Sequence, residues 1–176
     1  MAGAVRGAFL AFALACLAAP ALADEAAAWA ALKKGGHVAF IRHEATEAGL
    51  GDPPGYRLDD CATQRNLSAQ GREAAKRLGV RLRAEGVAID KVYTSPWCRC
   101  RDTATLAFGR ADDWDALASF FDDRASEPKL TERVRNRVGT YSTRKPGGTV
   151  VMVTHHVNIQ ALTHQAVGQG EIVVVR

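Results

Sequence analysis

The run Thr149-Val-Val-Met-Val-Thr-His155 gives the strongest strand prediction in this chain, because β-branched residues fill most of it and Gly147-Gly148 precede it as a turn. Two histidines, His155 and His156, stand at its carboxyl end, and a helix is predicted after them, from 158 to 167. A short apolar strand followed by titratable side chains and a helix is typical of an α/β fold.

Two other predicted strands end in the same way. His37-Val-Ala-Phe-Ile41 leads into Arg42-His43, and Lys91–Thr94 leads into Ser95-Pro96, which we interpret as the N-cap and first residue of a helix to Gly109. The remaining predicted elements are helices at 24–34 and 69–85, a helix with the apolar face Leu130, Val134, Val138 and Tyr141, and a final strand at 171–175.

This alternation predicts one α/β domain, a three-layer sandwich with a mainly parallel sheet and helices on both faces. Ligands of such sheets bind beyond the carboxyl ends of the strands. Three predicted strand ends supply Arg42-His43, Ser95 leading to Arg99, and His155. Loops as long as the irregular segments 44–64 and 111–127 are usually functional, so we expect both to determine the substrate.

The first 23 residues are predicted to be a secretory signal peptide. Arg6 precedes an uncharged apolar stretch, and Ala21-Leu22-Ala23 fits a small-x-small cleavage site. We expect cleavage after Ala23, which leaves a mature domain at 24–176 that is periplasmic or secreted and has no stable membrane insertion. The alternative is that the 17-residue run 7–23 is retained as an N-terminal anchor.

Composition narrows the class of partner. Hydrophobic residues make up 47% and charged residues 24% of the chain, values near the globular average that argue against wholesale disorder. Without the leader, 22 basic and 19 acidic residues are spread along the sequence, a balance that suits a small anionic substrate. No basic run is interleaved with aromatic residues, so we do not expect nucleic acid as a partner.

Histidine and arginine at strand ends suit phosphoryl transfer, in which positioning and fixed positive charge supply most of the catalysis. Arginine grips phosphate oxygens in pairs and stays charged. A neutral imidazole can act as the nucleophile if its other nitrogen keeps its proton on an acceptor such as a backbone carbonyl. One histidine with two or three arginines would be enough to bind a phosphoryl group and attack its phosphorus atom.

In their order, four segments resemble the histidine phosphatase superfamily, whose fold is shared with the cofactor-dependent phosphoglycerate mutases. Arg42-His-Glu44 is similar to its Arg-His-Gly motif, and Arg65–Gly71 to its Arg-x-Leu-Thr/Ser-x-x-Gly segment. Ser95–Thr103 is similar to its Ser-x-x-x-Arg-x-x-x-Thr helix start, and Val151–His155 to the strand that carries its second histidine. The resemblance extends over nearly all of the predicted mature domain.

The resemblance implies a role for each matched residue. His43 would be the nucleophile that becomes phosphohistidine, and Arg42, Arg99 and His155 would complete the phosphate pocket, with Arg65 joining them. It implies a phosphomonoester hydrolase without metal or organic cofactor, acting on a small or envelope-associated phosphate ester. The alternative is a phosphate-ester binding module that has the same pocket and turns over little.

Two positions depart from the family pattern. Glu44 stands where the family usually has glycine, and His156 where glycine commonly follows the second histidine. A carboxylate at Glu44, beside an anion site, is expected to narrow the substrate range. The general acid that protonates the leaving oxygen is expected at Asp122 or Asp123, with Asp123 preferred and Glu44 as a rival.

Export would leave three cysteines in an oxidising compartment, where one disulfide and one free thiol are expected. Cys100 shares a helix face with the apolar Ala104 and Ala107, whereas Cys98 aligns with Asp102 nearer the surface. We therefore predict a Cys61–Cys98 disulfide and a buried Cys100. A metal site built from Cys98, Cys100 and the histidine pair is disfavoured, because the spacing matches no common zinc pattern.

Overall fold

The most strongly predicted strand lies at the centre of a five-stranded sheet in this computed structural model, which describes residues 20–143 and 147–176. The helices and strands of this part of the chain are α1 (Pro20–Lys34), β1 (Val38–Arg42), α2 (Ala69–Ala84), β2 (Ile89–Thr94), α3 (Cys98–Phe108), β3 (Asp112–Asp113), α4 (Glu127–Ser142), β4 (Thr149–Thr154), α5 (His156–Thr163) and β5 (Ile172–Val175). Single turns of 3-10 helix at Cys61–Thr63, Asp115–Leu117 and Arg124–Ser126 interrupt the irregular connections.

The sheet has the strand order β3-β2-β4-β1-β5. The first four strands are parallel, and β5 runs antiparallel beside β1. In register, Arg42 pairs with Thr154 and Thr94 pairs with Val153, so β1, β4 and β2 end at the same edge of the sheet. The mainly parallel sheet is thus confirmed, and its register brings the three predicted strand ends together.

Apolar side chains alternate between the two faces of the sheet and meet helices on both. On one face Ile41 and Val153 pack with Leu82 of α2 and Cys100 of α3. On the other face Phe40, Met152, Leu117, Val134 of α4 and Ile159 of α5 form a second core. Helices therefore cover both faces, as the three-layer prediction requires.

Two of the predicted helices have the wrong boundaries. α3 begins at Cys98, after an N-cap Trp97 that makes no side-chain cap, rather than at Ser95-Pro96. The Ser95 hydroxyl is instead hydrogen-bonded to the second histidine of the site. α5 begins at His156 and ends at Thr163, where His164 takes a left-handed conformation with φ of 60° and stops the helix.

Residues 1–19 of the predicted signal peptide lie outside the described residues, and 20–23 belong to α1. Within the two described ranges, no helix has the length and apolar character of a membrane span.

Candidate active site

His43 follows β1 directly and is buried. Its Nδ1 lies 2.9 Å from the Glu44 carbonyl oxygen, which can only accept, so Nδ1 carries the proton and Nε2 holds a free lone pair. Burial lowers the pKa of His43 to about 3; the hydrogen bond to Glu44 opposes this, and the charges of Arg99, Arg42 and Arg65 add to it. The ring is therefore neutral at physiological pH and oriented as a nucleophile.

His155 follows β4, and its ring centroid lies 5.5 Å from that of His43, with the two rings tilted by 68°. Its Nε2 lies 2.8 Å from the Ser95 hydroxyl and 3.6 Å from the Cys100 thiol. Burial, followed by the neighbouring His43 and Arg99, lowers the pKa of His155 well below its usual value. Ser95 and Cys100 thus both contact Nε2 and restrict rotation of the His155 ring.

Three arginines, Arg42, Arg65 and Arg99, are each anchored through Nη1. In contrast, the Nε atom of each is buried and lacks a hydrogen-bond partner in the described part of the chain. Nε and Nη2 form an edge with which a guanidinium can grip an oxyanion in pairs, so anchoring through Nη1 leaves that edge to a ligand. The Nη1 acceptors are the carbonyl of Val167 at 2.7 Å, the carbonyl of Gly49, and the carboxylate of Asp52 at 2.7 and 3.0 Å, respectively.

The arginines are close enough to disfavour one another's charge. Burial lowers the pKa of Arg42, and the charge of Arg65 lowers it further. Burial likewise lowers the pKa of Arg65, and here the added charge is that of Arg99. A bound anion would relieve this repulsion, so the structure brings His43, His155 and the three predicted arginines together around a site suited to a phosphoryl group.

Asp52 is the functional residue that the sequence analysis missed. It lies in the 44–64 loop, and its side chain is 3% exposed against 5% for Arg99, its ion-pair partner. The carboxylate also accepts hydrogen bonds from Trp97 Nε1 at 3.0 Å and from the Arg65 backbone N–H at 2.9 Å. Burial raises the pKa of Asp52, but these donors outweigh burial and the pKa lies below its ordinary value. Asp52 therefore remains ionised and fixes Arg99.

Glu44 and His156 differ in where their side chains lie. The Glu44 carboxylate packs against Gly170, where a Cβ would lie 2.4 Å from its oxygen, and burial raises its pKa. The half-buried His156 follows His155 directly, and its pKa is lowered by burial and then by the charges of Arg42 and Arg124. The Glu44 carboxylate thus lies against the glycine turn before β5, while His156 lies within electrostatic range of Arg42.

Asp122 and Asp123 lie in an exposed segment between Phe120 and the turn at Arg124. The Asp123 carboxylate accepts a hydrogen bond from the Ser126 hydroxyl. The charge of Asp122, by contrast, contributes to raising the pKa of Tyr56, after burial and Asp52. Asp122 therefore lies within electrostatic range of Tyr56, which packs against Trp97 with ring centroids 6.0 Å apart.

The structure joins Cys61 to Cys98, as predicted, and leaves Cys100 as a buried free thiol. Burial raises the pKa of Cys100 to about 12. The expectation that Cys98 lies nearer the surface is wrong: Cys98 is buried, and its N–H donates to the Gln64 side chain at 3.0 Å. The disulfide therefore attaches the 44–64 loop to the first turn of the helix that carries Arg99. Over the described ranges, no group of three or more metal-binding side chains is placed to hold an ion.

The motif glycine at position 71 has a steric cause. Gly71 lies in the first turn of α2, where a Cβ would come within 1.9 Å of the Ala45 carbonyl oxygen. Ser68 caps the same helix by accepting from the Gly71 N–H at 3.1 Å, as predicted. Because Gly71 has no side chain, the start of α2 packs directly against the backbone at Ala45, two residues after His43.

Comparison with known proteins agrees with this geometry. The model of the histidine phosphatase superfamily (branch 1) matches residues 38–118, from β1 to the turn after β3. No curated protein sequence gives a significant match.

Solved structures share the fold. The protein histidine phosphatase SixA, complexed with tungstate, is 16% identical over 80% of this chain and 87% of its own, with a TM-score of 0.54. The α-ribazole phosphatase from Shigella flexneri is 17% identical over 80% of this chain and 90% of its own, with a TM-score of 0.56. A phosphoglycerate mutase from Bacillus anthracis is 14% identical over 81% and 88%, also with a TM-score of 0.56.

At these identities the structural likeness establishes the fold, while the family match covers Arg42, His43, Arg65 and Arg99. The match to the histidine phosphatase superfamily over residues 38–118, together with both histidines and three arginines at one edge of the shared fold, supports a phosphatase that hydrolyses phosphoesters.

Proposed function

We propose that this protein is a phosphomonoester hydrolase that works through a phosphohistidine intermediate on His43. The observation that carries the proposal is the arrangement around His43 Nε2: Nδ1 is held by the Glu44 carbonyl, and three buried arginine Nε atoms are unpartnered in the described chain. This arrangement combines a nucleophile of fixed tautomer with donors for the phosphoryl oxygens.

Two displacements at phosphorus account for the reaction. In the first, His43 Nε2 forms a bond to phosphorus while the ester P–O bond breaks, and the leaving alkoxide takes a proton from a general acid. In the second, water attacks phosphorus, the N–P bond breaks, and the conjugate base of that acid accepts a proton from the water. Arg42, Arg65, Arg99 and His155 hold the equatorial oxygens in both steps.

For the general acid we favour Asp122 over the sequence-based preference, Asp123. The Asp123 carboxylate accepts a hydrogen bond from Ser126, whereas the charge of Asp122 acts on Tyr56, which packs against Trp97. Glu44 is the weaker rival, because its carboxylate packs against Gly170. With an alkyl phosphate, which has a poor leaving group, Asp122→Asn should lower kcat by about a hundredfold. Asp123→Asn is the matched control; equal losses in both variants would remove Asp122 from this role.

The compartment and substrate form part of the same proposal. A leader at 1–23 and the Cys61–Cys98 disulfide both fit an exported enzyme, because disulfides persist in oxidising compartments. The substrate would then be a small or envelope-associated phosphate ester in the periplasm or outside the cell. A mature protein that begins at Asp24 in the periplasmic fraction would support export; a cytoplasmic protein would contradict it.

The second candidate is a binding module of low turnover with the same pocket. Its supporting observation is the ion pair with Asp52, which already neutralises part of the charge of Arg99. Turnover of p-nitrophenyl phosphate separates the two candidates, with His164→Asn as a control variant in which another imidazole is lost. If the protein is a hydrolase, it should release p-nitrophenol; His43→Ala should abolish this release, and His164→Asn should leave it unchanged. Binding of the ester without turnover by the unmodified protein would support the module.

A further inference from the structure

The mouth of the anion site is formed in part by the short segment 49–52. The Gly49 carbonyl accepts from Arg65 Nη1, and the Asp52 carboxylate binds Arg99 Nη1. The two residues between them, Leu50 and Gly51, therefore pass directly beside the arginines that would hold the phosphoryl group.

Exposed apolar surface is concentrated at this segment. In the described part of the chain, three large hydrophobic side chains are exposed: Leu50 at 86%, Val80 at 58% and Phe121 at 36%. Leu50 adjoins Gly51 in the chain, and Phe121 Cε1 lies 3.9 Å from the position that a Cβ on Gly51 would take, so two of the three lie beside the same glycine. Exposure of Leu50 and Phe121 costs hydration free energy that a bound apolar group would recover.

Two aromatic side chains connect the second histidine with the 44–64 loop. The Trp97 ring lies 5.3 Å from the His155 ring, and the Tyr56 ring lies 6.0 Å from the Trp97 ring. Burial raises the pKa of Tyr56, and the charges of Asp52 and Asp122 raise it further. Trp97 is buried, so the partly exposed Tyr56 is the ring available to the part of a substrate that extends beyond the phosphate.

We propose that Leu50 and Phe121 form a leaving-group subsite, which selects phosphate monoesters whose alcohol carries an apolar chain. The inference rests on the proposed hydrolysis and names the substrate class of that site. The phosphate would occupy the free arginine edges, and the chain would extend over Gly51 between the two side chains. A polar sugar at the same place would leave both exposed and lose hydroxyl hydrogen bonds to water.

A series of ethyl, butyl and hexyl phosphate tests the proposal, with inorganic phosphate release as the measurement. Lengthening the chain hardly alters the basicity of the leaving alcohol, so a change in kcat/KM reports contact with the chain rather than reactivity. We expect kcat/KM to rise about tenfold from ethyl to hexyl phosphate. Leu50→Ser and Phe121→Ser should flatten this rise, so that the ratio of kcat/KM for hexyl phosphate to that for ethyl phosphate falls toward one.

Val80→Ser is the matched control, because it removes the third exposed hydrophobic side chain, which lies on α2. It should leave the chain-length dependence unchanged. Hydrolysis that does not depend on chain length, or an equal loss for ethyl and hexyl phosphate in Leu50→Ser, would overturn the subsite. Failure of the unmodified protein to hydrolyse any of these esters or p-nitrophenyl phosphate would instead overturn the proposed hydrolysis.

Discussion

Two of the three arginines are anchored by backbone carbonyls, whereas Arg99 is anchored by the charged Asp52 carboxylate. Asp52 also accepts a hydrogen bond from the Arg65 backbone N–H. Asp52→Asn keeps the shape of the side chain but removes the charge that fixes Arg99. We expect kcat/KM to fall about tenfold to a hundredfold. A displaced Arg99 guanidinium would stabilise the transition state less well, and this loss would exceed its effect on the bound substrate. Steady-state kinetics with p-nitrophenyl phosphate measure this.

Asp59→Asn is the control for that experiment, since Asp59 is an exposed carboxylate of the same loop. It should leave kcat/KM unchanged. If Asp52→Asn and Asp59→Asn gave the same small effect, Asp52 would not be a positioning residue.

The sequence predicts some residues of the site and not others for a physical reason. Arg42, His43 and His155 follow apolar runs, so strand patterning places them at one sheet edge. Asp52 lies between Gly51 and Pro53 in a loop without periodicity, and its partners are set by the path of that loop in three dimensions. Sequence patterns predict Ser95 as a helix cap, whereas its hydroxyl contacts a histidine sixty residues away, which only the tertiary structure brings close.

At the scale of elements, the disulfide attaches the loop that carries Asp52 to α3. Reducing Cys61–Cys98, which are 37 residues apart in the sequence, should lower the free energy of unfolding by about 3–4 kcal/mol. We also expect kcat/KM to fall, because Asp52 and the start of α3 would no longer be held together. Urea unfolding and kinetics with and without dithiothreitol measure both quantities.

The variant Cys61→Ser/Cys98→Ser is the control, and it should be insensitive to dithiothreitol while matching the reduced protein. Full activity and unchanged stability of the reduced protein would mean that the other contacts of the 44–64 loop hold it against α3 without the disulfide. The pairing itself was predictable from the apolar helix face of Cys100, whereas the burial of Cys98 was not, because the 44–64 loop covers it.

At the scale of the whole molecule, two buried neutral histidines make stability depend on pH. The pKa of His43 is about 3 in the folded chain against 6.5 for an unperturbed histidine, so the unfolded state binds the additional proton. Stability is fully present above about pH 6.5 and falls as the pH drops toward 3, by up to about 1.4 kcal/mol per pH unit for this histidine. Urea unfolding between pH 7 and 4 should show the decrease.

His43→Gln should make that decrease shallower, because it removes one of the groups that take up a proton on unfolding. Parallel curves for the variant and the unmodified protein would contradict the low pKa of His43. The fold class itself was predictable from alternating strands and helices, while the antiparallel β5 and the two-residue β3 depend on tertiary packing that sequence patterns do not encode.

The central claim is that phosphate is transferred to one imidazole, and trapping the phosphoenzyme tests it most directly. The unmodified protein would be mixed with a phosphate monoester, quenched within milliseconds in base, where phosphohistidine survives, and mapped by peptide mass spectrometry. The account predicts one phosphoryl group on His43, which acid releases and which is absent from His43→Ala. A phosphoryl group on another residue, or rapid turnover without any trapped phosphoenzyme, would contradict it.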